Sequence, residues 1–587
     1  MGLTIAGISA HFHDSACCLL RDGRLVAAAQ EERFTRIKHD PSIPRHAFRY
    51  CLEAAGLTIA DLDAVAYYED PVKKLDRQLW MALPDVPPAT PESLFRLDAT
   101  RPGREIRDLL GFDGPVDYFD HHLSHAASSY YFSGFPDAAI LTVDAVGEWT
   151  TASYGRAEGA RIELIEEVPF PDSLGLLYSA ITSYLGFDVN DAEYKVMGLA
   201  PYGKPRYVGK VRRLIDVGKD GQFRLDLRYF DFMHGRRMFS EKLCALFGRP
   251  PRAPESALSP FAKDVARSVQ VVLEEILLAK VAYLHRRVPS ANLCLAGGVA
   301  LNCVAVGRIV REGPFRNVFV QPAASDAGSA LGAAALAHVR RTGRRPEERR
   351  LPHVFLGPAF DTGDIARTLG ASSARWHDFR GREDDLLSAT VDRLASGKVI
   401  GWFQGRMEFG PRALGHRSIL ADPRGPDMRE RINAQVKKRE AFRPFAPAVL
   451  ADRASAHFAL DHAAPFMLET CAVRSRLDLP AITHVDGSAR VQTVDEEGSP
   501  RFARLLRAFE ARTGCPILLN TSFNLRGEPI VCTPADAIVC FVRSDLDCLV
   551  LEDALVDRDG LPGSWRAAFG STVPFASGVS HSVYALL

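Results

Sequence analysis

At the start of the chain, apolar and polar positions alternate in blocks that predict three strands. The apolar runs are Leu3–Ile8, Ala16–Leu20 and Leu25–Ala29, separated by a polar turn at His11–Ser15 and by Asp22-Gly23. An Asp-Gly pair between two such runs is a strong hairpin signal, because a two-residue turn needs positive φ at both positions. The arrangement returns at Ala138 as strand AAILTVD, turn AVGE, strand WTTASYG, a turn at Glu158-Gly159 and strand RIELIEEV. Two copies of strand, acidic turn and strand predict an internal duplication. Further on, Phe261, Val265, Val269, Val272 and Ile276 recur at helical spacing and predict an amphipathic, core-facing helix reaching Arg287. Strand NLCLAGG then leads into a helix opening at Val299–Asn302, which sets Gly297 and Gly298 at a strand-to-helix turn. Glycines there either admit a phosphate or adenosine to the helix N-terminus or simply make a left-handed turn.

From His338 to Leu351 the sequence HVRRTGRRPEERRL is basic, polar and carries a proline, the mark of an exposed connection between units. Strands and helices alternate again beyond it, so the expected fold class is α/β in two domains, residues 1–345 and 346–587. Composition narrows the function. With 72 Lys+Arg against 72 Asp+Glu, the formal net charge is zero, which excludes a sequence-blind nucleic-acid or membrane-surface binder. The 11 cysteines include no C-x-x-C pair of the zinc type, and Cys17 and Cys18 fall inside an apolar strand as reduced, buried residues. The N-terminus lacks a basic region, and His11, His13 and Asp14 break its apolar stretch, so no signal peptide is read there. No apolar run reaches membrane-span length, and a cytoplasmic location is expected.

Two segments carry candidate chemistry. In VDYFDHHLSHAASSYYF, Asp120 is placed to cap a helix on which His121 and His125, four residues apart, share a face while His122 points elsewhere. Such a pair is either a ligand pair for a divalent metal or two satisfied histidines. Asp144, on the second hairpin turn, and Asp326, at a strand-to-helix junction, stand where carboxylate ligands would be supplied, and such a set suits Fe(II) or another first-row divalent ion. The second segment runs from GWFQGRMEFGPRALGHRSILADPR to INAQVKKREAFRPFAP. Its cations Arg406, Arg412, Arg417, Arg424, Arg429, Arg431, Lys437, Lys438, Arg439 and Arg443 face only Glu408, Asp422, Asp427, Glu430 and Glu440. Either this is a solvated basic surface, or Arg forks held by Gly/Pro turns meet the oxygens of a polyanion. Arg490, and Asn520, Ser522 and Arg526 in LLNTSFNLRGEPIV, read as strand ends that deliver polar groups.

Taken together, HFHDSA, EERFTRIKHD, DHHLSHAASSYYFSGF, VDAVGEW, KVMGLAPYGKP, AGGVALN, SDAGSALG, FGPRALGHRSILADPR, FRPFAP and LLNTSFNLRGEPI strongly resemble the nodulation-protein-U and cephamycin-type O-carbamoyltransferases, from about Gly7 to about Asp557. The resemblance implies an actin-like, duplicated N-terminal domain and a C-terminal domain similar to YrdC-type nucleotide-binding domains. It implies that the latter makes carbamoyl adenylate from carbamoyl phosphate and ATP, with Mg2+, and that the former passes the carbamoyl group to a hydroxyl of a small metabolite in natural-product or antibiotic tailoring. Carried onto this sequence, the family's iron ligands fall on His121, His125, Asp144 and Asp326, and its catalytic histidine, a general base, on His13. Lys437 and Arg443, with Arg412, fall on positions that handle carbamoyl phosphate and ATP. Arg490, Asn520 and Arg526 fall near them, and Gly297, Gly298 and Asn302 on a nucleotide-contacting turn. The implied protein is a monomer or homodimer whose acceptor is a small molecule. A threonylcarbamoyl-type tRNA enzyme and an actin-like kinase are the alternatives, and neutral charge disfavours the first. Two departures stand out: Ala145 where many members carry Gly, and His11, which is either an extra acceptor contact or a harmless surface side chain.

Overall fold

A computed structural model describes residues 2–82, 97–233, 237–347, 350–371 and 373–565. The chain divides into two compact units. One comprises His39–Leu351 with the residues up to Thr35; the other comprises Arg36–Lys38 and the chain from Pro352.

The first unit contains two five-stranded sheets built to one plan. Strands β1 (Thr4–Ser9), β2 (Ala16–Arg21), β3 (Arg24–Gln30), β4 (Ala64–Tyr67) and β5 (Val116–Tyr118) lie in the order β3-β2-β1-β4-β5. The hairpin strands β1, β2 and β3 pair antiparallel, and β4 and β5 add in parallel. Asp22 and Gly23 take φ +51° and +77°, the left-handed pair that a tight hairpin demands. After helix α1 (His121–Tyr130) the plan repeats with β6 (Asp137–Val143), β7 (Thr150–Glu158) and β8 (Arg161–Pro169). It is completed by β9 (Asn292–Ala296) and β10 (Asn317–Val320), in the order β8-β7-β6-β9-β10 with the same parallel and antiparallel pairings. The expected duplication is therefore visible strand for strand.

The long helix α2 (Pro260–Arg287) starts where Ser259 accepts the Ala262 N–H at 3.2 Å and ends in His285-Arg286-Arg287, which suit the negative end of its dipole. Its predicted stripe faces inward: Val265, Val269, Val272 and Ile276 are buried, and Phe261 is half-buried. Helix α3 (Cys303–Glu312) follows β9, and α4 (Asp326–Thr342) follows β10. The basic run thus begins as the last turns of α4, with His338 buried, and only its residues beyond Thr342 form a connection.

Helix α4 determines the layout of the first unit. It packs on β1 and β2 of the first sheet and on α1, which in turn packs on β6 and β9 of the second. The sequence DAGSALGAAALA makes this contact close, because Ala327, Ala330, Ala333 and Ala334 are fully buried with almost no side chain to separate the helix axes. A Cβ on Gly332 would collide with the Ser124 carbonyl oxygen of α1.

In the second unit one eight-stranded mixed sheet collects β11 (His377–Asp378), β12 (Ile400–Phe403), β13 (Arg417–Ala421), β14 (Ala446–Leu450), β15 (Gln492–Val494), β16 (Ile517–Ser522), β17 (Cys548–Leu551) and β18 (Ala554–Asp557). The order is β11-β18-β17-β12-β13-β16-β14-β15. Trp402, Phe403, Phe509, Leu518 and Val550 belong to its buried core, and the Trp402 indole N–H donates to the Gly415 carbonyl at 2.9 Å. Among the described residues no helix is long and apolar enough to cross a membrane.

Gly332→Ala should cost about 1–3 kcal/mol of folding stability, because the helix pair has no room for a methyl group. Denaturant unfolding followed by circular dichroism measures it, and a variant as stable as the parent would show that the α1–α4 approach is slack.

Candidate metal centre and anion site

The α1–α4 contact brings four ligand-type side chains together. His121 and His125 project from successive turns of α1, Asp144 from the β6–β7 turn and Asp326 from the first turn of α4. All four are buried, and one ligand atom from each lies within 4.8 Å of the others. His125 Nε2 donates to Asp144 Oδ2 at 2.8 Å, and His121 Nε2 reaches the same oxygen at 3.4 Å. The two Nε2 atoms stand 3.6 and 3.8 Å from Asp326 Oδ1. His125 is aimed by its other nitrogen, 2.9 Å from Ser329 Oγ on α4. His122 turns away to Thr142 Oγ1 at 2.6 Å, as its helical position requires.

Burial lowers the basicity of His121, but Asp326, Asp144 and Glu148 more than offset it and hold the imidazole up at about 9. Burial pushes Asp144 up, yet the bonds from His121 and His125 outweigh it and keep the carboxyl well below its ordinary value. Asp326 is pushed up by burial against the pull of His13 and His121. Its second oxygen, buried, has no hydrogen-bond partner among the described residues. Two imidazoles and two carboxylates converging on one point, one of them with an orphaned oxygen, fit a first-row divalent cation.

The surroundings differ from the sequence reading in several places. Asp120 occupies the N-cap position of α1 but does not cap it; its carboxylate pairs with Lys73 at 2.6 Å. Glu148 does that work, accepting the His121 N–H at 2.9 Å and the Asp70 N–H at 2.6 Å. Burial, opposed by His121, lifts its carboxyl to about 7. Gly297 takes φ +90° where its backbone meets the Val143 carbonyl, and the Gly298 N–H donates to Asp144 Oδ1 at 3.2 Å. That turn thus holds a carboxylate of the cluster. Asn302 caps α3 through the Ala305 N–H and exchanges two amide bonds of 3.0 Å with Gln270, so its side chain is committed to the scaffold. Ala145 is no obstacle, since its N–H donates to Asp144 Oδ1 at 2.8 Å and its φ is not positive. His11 is neither an open contact nor a surface residue: it bridges Glu105 at 2.8 Å and the Tyr67 hydroxyl at 2.9 Å.

His13 sits on the β1–β2 turn, with Nδ1 3.3 Å from Asp14. Burial lowers its pKa, but Asp326 and Asp14 reverse this, so the imidazole is a stronger proton acceptor than a free one. Asp14 is itself held by a group for which sequence reasoning had no role. His39 lies between Asp14 (2.7 Å) and Asp191 (3.1 Å), and its backbone N–H donates to Glu32 at 2.8 Å. Asp14 and His39 both take positive φ, an energetic cost that the surrounding bonds sustain. EERFTRIKHD contains His39, but nothing local signals Asp191, 152 residues away.

In the second unit the cationic segment is sorted by what each side chain touches. Arg417 is fully buried, spends its guanidinium on the carbonyls of Gln404, Gly405 and Pro358, and stacks 3.6 Å from the Phe403 ring. Arg406 is bound to the Leu356 and Gly357 carbonyls, Arg424 to Asp422 and Arg431 to Asp547. These four are held by the protein's own carbonyls and carboxylates, so the cations of the segment do not act as one set. Lys437 is buried and faces Ser522 and Asn524 at the end of β16. Arg443 lies 3.7 Å from Glu440, which Arg526, largely exposed, approaches at 4.0 Å. Arg412 and Arg490 are half-buried, and Arg490 has no bond partner among the described residues. Asn520 is buried within the sheet and donates to Gln492 at 2.8 Å, and its Oδ1 has no hydrogen-bond partner among the described residues.

A carbamoyltransferase N-terminus model matches residues 4–82 and 106–335, and a carbamoyltransferase C-terminus model matches residues 391–558. Nodulation protein NolNO of Sinorhizobium fredii is 40% identical over 96% of this chain and 82% of its own length. The 3'-hydroxymethylcephem-O-carbamoyltransferase of Amycolatopsis lactamdurans is 29% identical over 93% and 98%. An uncharacterized Synechocystis protein is 45% identical over 95% and 97%. Among solved structures, HypF of T. kodakarensis aligns with 60% of this chain and 49% of its own at 15% identity and TM-score 0.31. The chain belongs to the carbamoyltransferase family of nodulation protein U and the cephem O-carbamoyltransferases.

The two carboxylates beside His39 hold its pKa up at about 10 despite burial. A raised histidine pKa contributes stability that is complete below about pH 6.5 and is lost as pH rises through the folded value. His39→Gln should therefore be less stable than the parent at neutral pH, with the gap closing towards pH 10. Urea midpoints across that range measure it, and a constant gap would refute the charged bridge.

Proposed function

We propose that the chain is an ATP-dependent O-carbamoyltransferase that works in two half-reactions. The second unit takes carbamoyl phosphate and ATP. Water cleaves carbamoyl phosphate into phosphate and carbamate, and a carbamate oxygen attacks the α-phosphorus of ATP, expelling pyrophosphate and leaving carbamoyl adenylate. In the first unit an acceptor hydroxyl attacks the carbamoyl carbon, giving the O-carbamate and AMP. The observation that carries this reading is the presence, in one chain of this family, of two differently charged sites: a His/Asp cluster beside His13, and a buried Lys437 beside Arg439 and Arg443. The proposed division follows the expected domains, transfer in 1–345 and adenylate formation, on a YrdC-like fold, in 346–587.

His13 would take the hydroxyl proton, with Asp14, 3.3 Å from Nδ1, and Asp326 raising the basicity of the ring. His121, His125, Asp144 and Asp326 would hold Fe(II) or another divalent metal, which supplies Lewis-acid charge beside the carbamoyl group and nucleotide. Lys437, Arg443 and Arg412 would meet the phosphates, with Mg2+ accompanying ATP and with Arg490, Asn520 and Arg526 nearby. The acceptor is proposed to be a small hydroxylated metabolite; the cephem relative names a hydroxymethyl acceptor of that kind. A neutral chain suits such a partner better than tRNA.

Pyrophosphate should be released from ATP only when carbamoyl phosphate is present; ADP as product would favour a kinase instead. Lys437→Ala should abolish pyrophosphate release, whereas His13→Asn should keep it and block carbamate formation, followed by mass spectrometry over a panel of hydroxylated metabolites. Equal loss of both steps in each variant would overturn the division of labour. His125→Ala should lower bound metal measured by plasma mass spectrometry, and an unchanged content would remove that residue from the ligand set.

A further inference from the structure

The turn that carries His13 is strained at two places. His11 takes φ +71° and Asp14 φ +53°, left-handed values that a residue with a side chain adopts at a cost. Asp14 is held by His39. His11 has a hold of its own, because its backbone N–H donates to the Pro41 carbonyl at 2.7 Å and its ring is bonded at both nitrogens. Nε2 lies 2.8 Å from Glu105 Oε2 on helix Arg101–Leu110, and the other Glu105 oxygen accepts from Arg101 Nε at 2.7 Å. Nδ1 lies 2.9 Å from the Tyr67 hydroxyl.

Burial lowers the His11 imidazole below its ordinary value against the pull of Glu105. Burial pushes the Glu105 carboxyl up, but the bonds from His11 and Arg101 outweigh it and hold it at about 2. A neutral imidazole beside an ionised carboxylate carries its proton on Nε2 and leaves Nδ1 to accept from the phenol. Each ring nitrogen thus meets the kind of partner it needs.

The same tyrosines link this turn to the metal cluster. Tyr67 ends β4 and Tyr68 follows it, and their hydroxyls reach the Ala10 carbonyl, one residue before His11, at 3.1 and 3.2 Å. The Tyr68 ring meets the His121 ring with centroids 5.1 Å apart. Arg101 and Glu105 lie between residues 82 and 106, where the two matched stretches of the family's N-terminus model end and resume, so this hold is outside what the match covers.

We propose that Glu105 is a positioning residue for His13: through its bond to His11 it fixes the strained β1–β2 turn, and with it the direction of the His13 imidazole relative to the His/Asp cluster. The catalytic meaning rests on assigning His13 to the transfer step; the hold on the turn does not.

Diethyl pyrocarbonate acylates accessible neutral imidazoles, and mapping the modified histidines of the full chain by peptide mass spectrometry reads the turn without any acceptor. In the parent, His11, its side chain 6% exposed, should be protected, and His13, 13% exposed, should react slowly. In Glu105→Ala both should react about fivefold faster or more, whereas Glu105→Gln, whose amide oxygen still accepts the His11 N–H, should stay within about twofold of the parent. Carbamate formation over the hydroxylated-metabolite panel should fall about tenfold or more in Glu105→Ala and hold in Glu105→Gln, with pyrophosphate release unchanged in both. Should Glu105→Ala fail to fold, His11→Asn, which suits a left-handed φ but is too short to reach Glu105, should speed His13 modification in the same way. Unchanged His13 reactivity in Glu105→Ala, equal effects of the alanine and glutamine variants, carbamate formation that Glu105→Ala leaves intact, or pyrophosphate release that falls with it would each overturn the proposal. Faster His13 modification in Glu105→Ala, from a parent that makes no carbamate, would instead retire the transfer role of His13 and leave the hold on the turn standing.

Discussion

The close approach of helices α1 and α4 is the constraint on which the first unit depends. His121 and His125 ride on one helix and Asp326 on the other, so the separation of the axes sets the size of the His/Asp cluster. Gly332 against the Ser124 carbonyl, and a line of buried alanines, fix that separation at backbone contact. Close packing of small side chains leaves little slack, and interiors of this density transmit a shift instead of absorbing it. The duplication then acquires a purpose. Each repeat lays its sheet against one helix of the pair, and the equivalent first hairpin turn of each repeat supplies polar groups: His13 and Asp14 from β1–β2, Asp144 and Glu148 from β6–β7.

The two units bury opposite imbalances of charge. In the first, Asp144 and Asp326 share one space, and the His121 imidazole beside them is drawn towards the protonated form, held at about 9. Carboxylates that force histidines to keep protons in a dry site would equally be satisfied by a cation. In the second, Lys437 is held by neutral oxygens, and burial together with the nearby guanidiniums of Arg439 and Arg443 pushes its amine well below the ordinary value. Burying either set without its counter-charge costs stability, and well-bonded surroundings are what sustain it.

Features with a local period are legible in the sequence. Strand alternation and the Asp22-Gly23 turn predict both hairpins, and the four-residue spacing puts His121 and His125 on one face, because those patterns are properties of neighbouring residues. Partners are not legible in the same way. Asp120 stands at the start of α1 and is chemically a good cap, yet the cap is Glu148, carried in by the second hairpin. His39 has no role that its own motif announces, since its meaning lies in a bridge to Asp191 that only the fold creates.

The basic segment shows why charge counted along a sequence is not charge available to a ligand. The Arg417 guanidinium donates to four backbone carbonyls and lies over an aromatic face where water is absent, and Arg431 finds Asp547 from 116 residues away. Acids are consumed in the same way. Glu408 accepts the N–H groups of Leu414, His416 and Arg417 at 2.7, 2.9 and 3.1 Å with a single oxygen, so the Gly-rich loop closes around the protein's own carboxylate. Successive N–H groups of that kind would otherwise make an anion cradle. With the cradle filled and Arg406, Arg417, Arg424 and Arg431 committed to scaffold, an anion entering this unit must be met by side chains that the scaffold leaves charged. Of the remaining cations of the segment, Lys437 is held by uncharged oxygens of Ser522 and Asn524, and Arg443 has Glu440 at 3.7 Å.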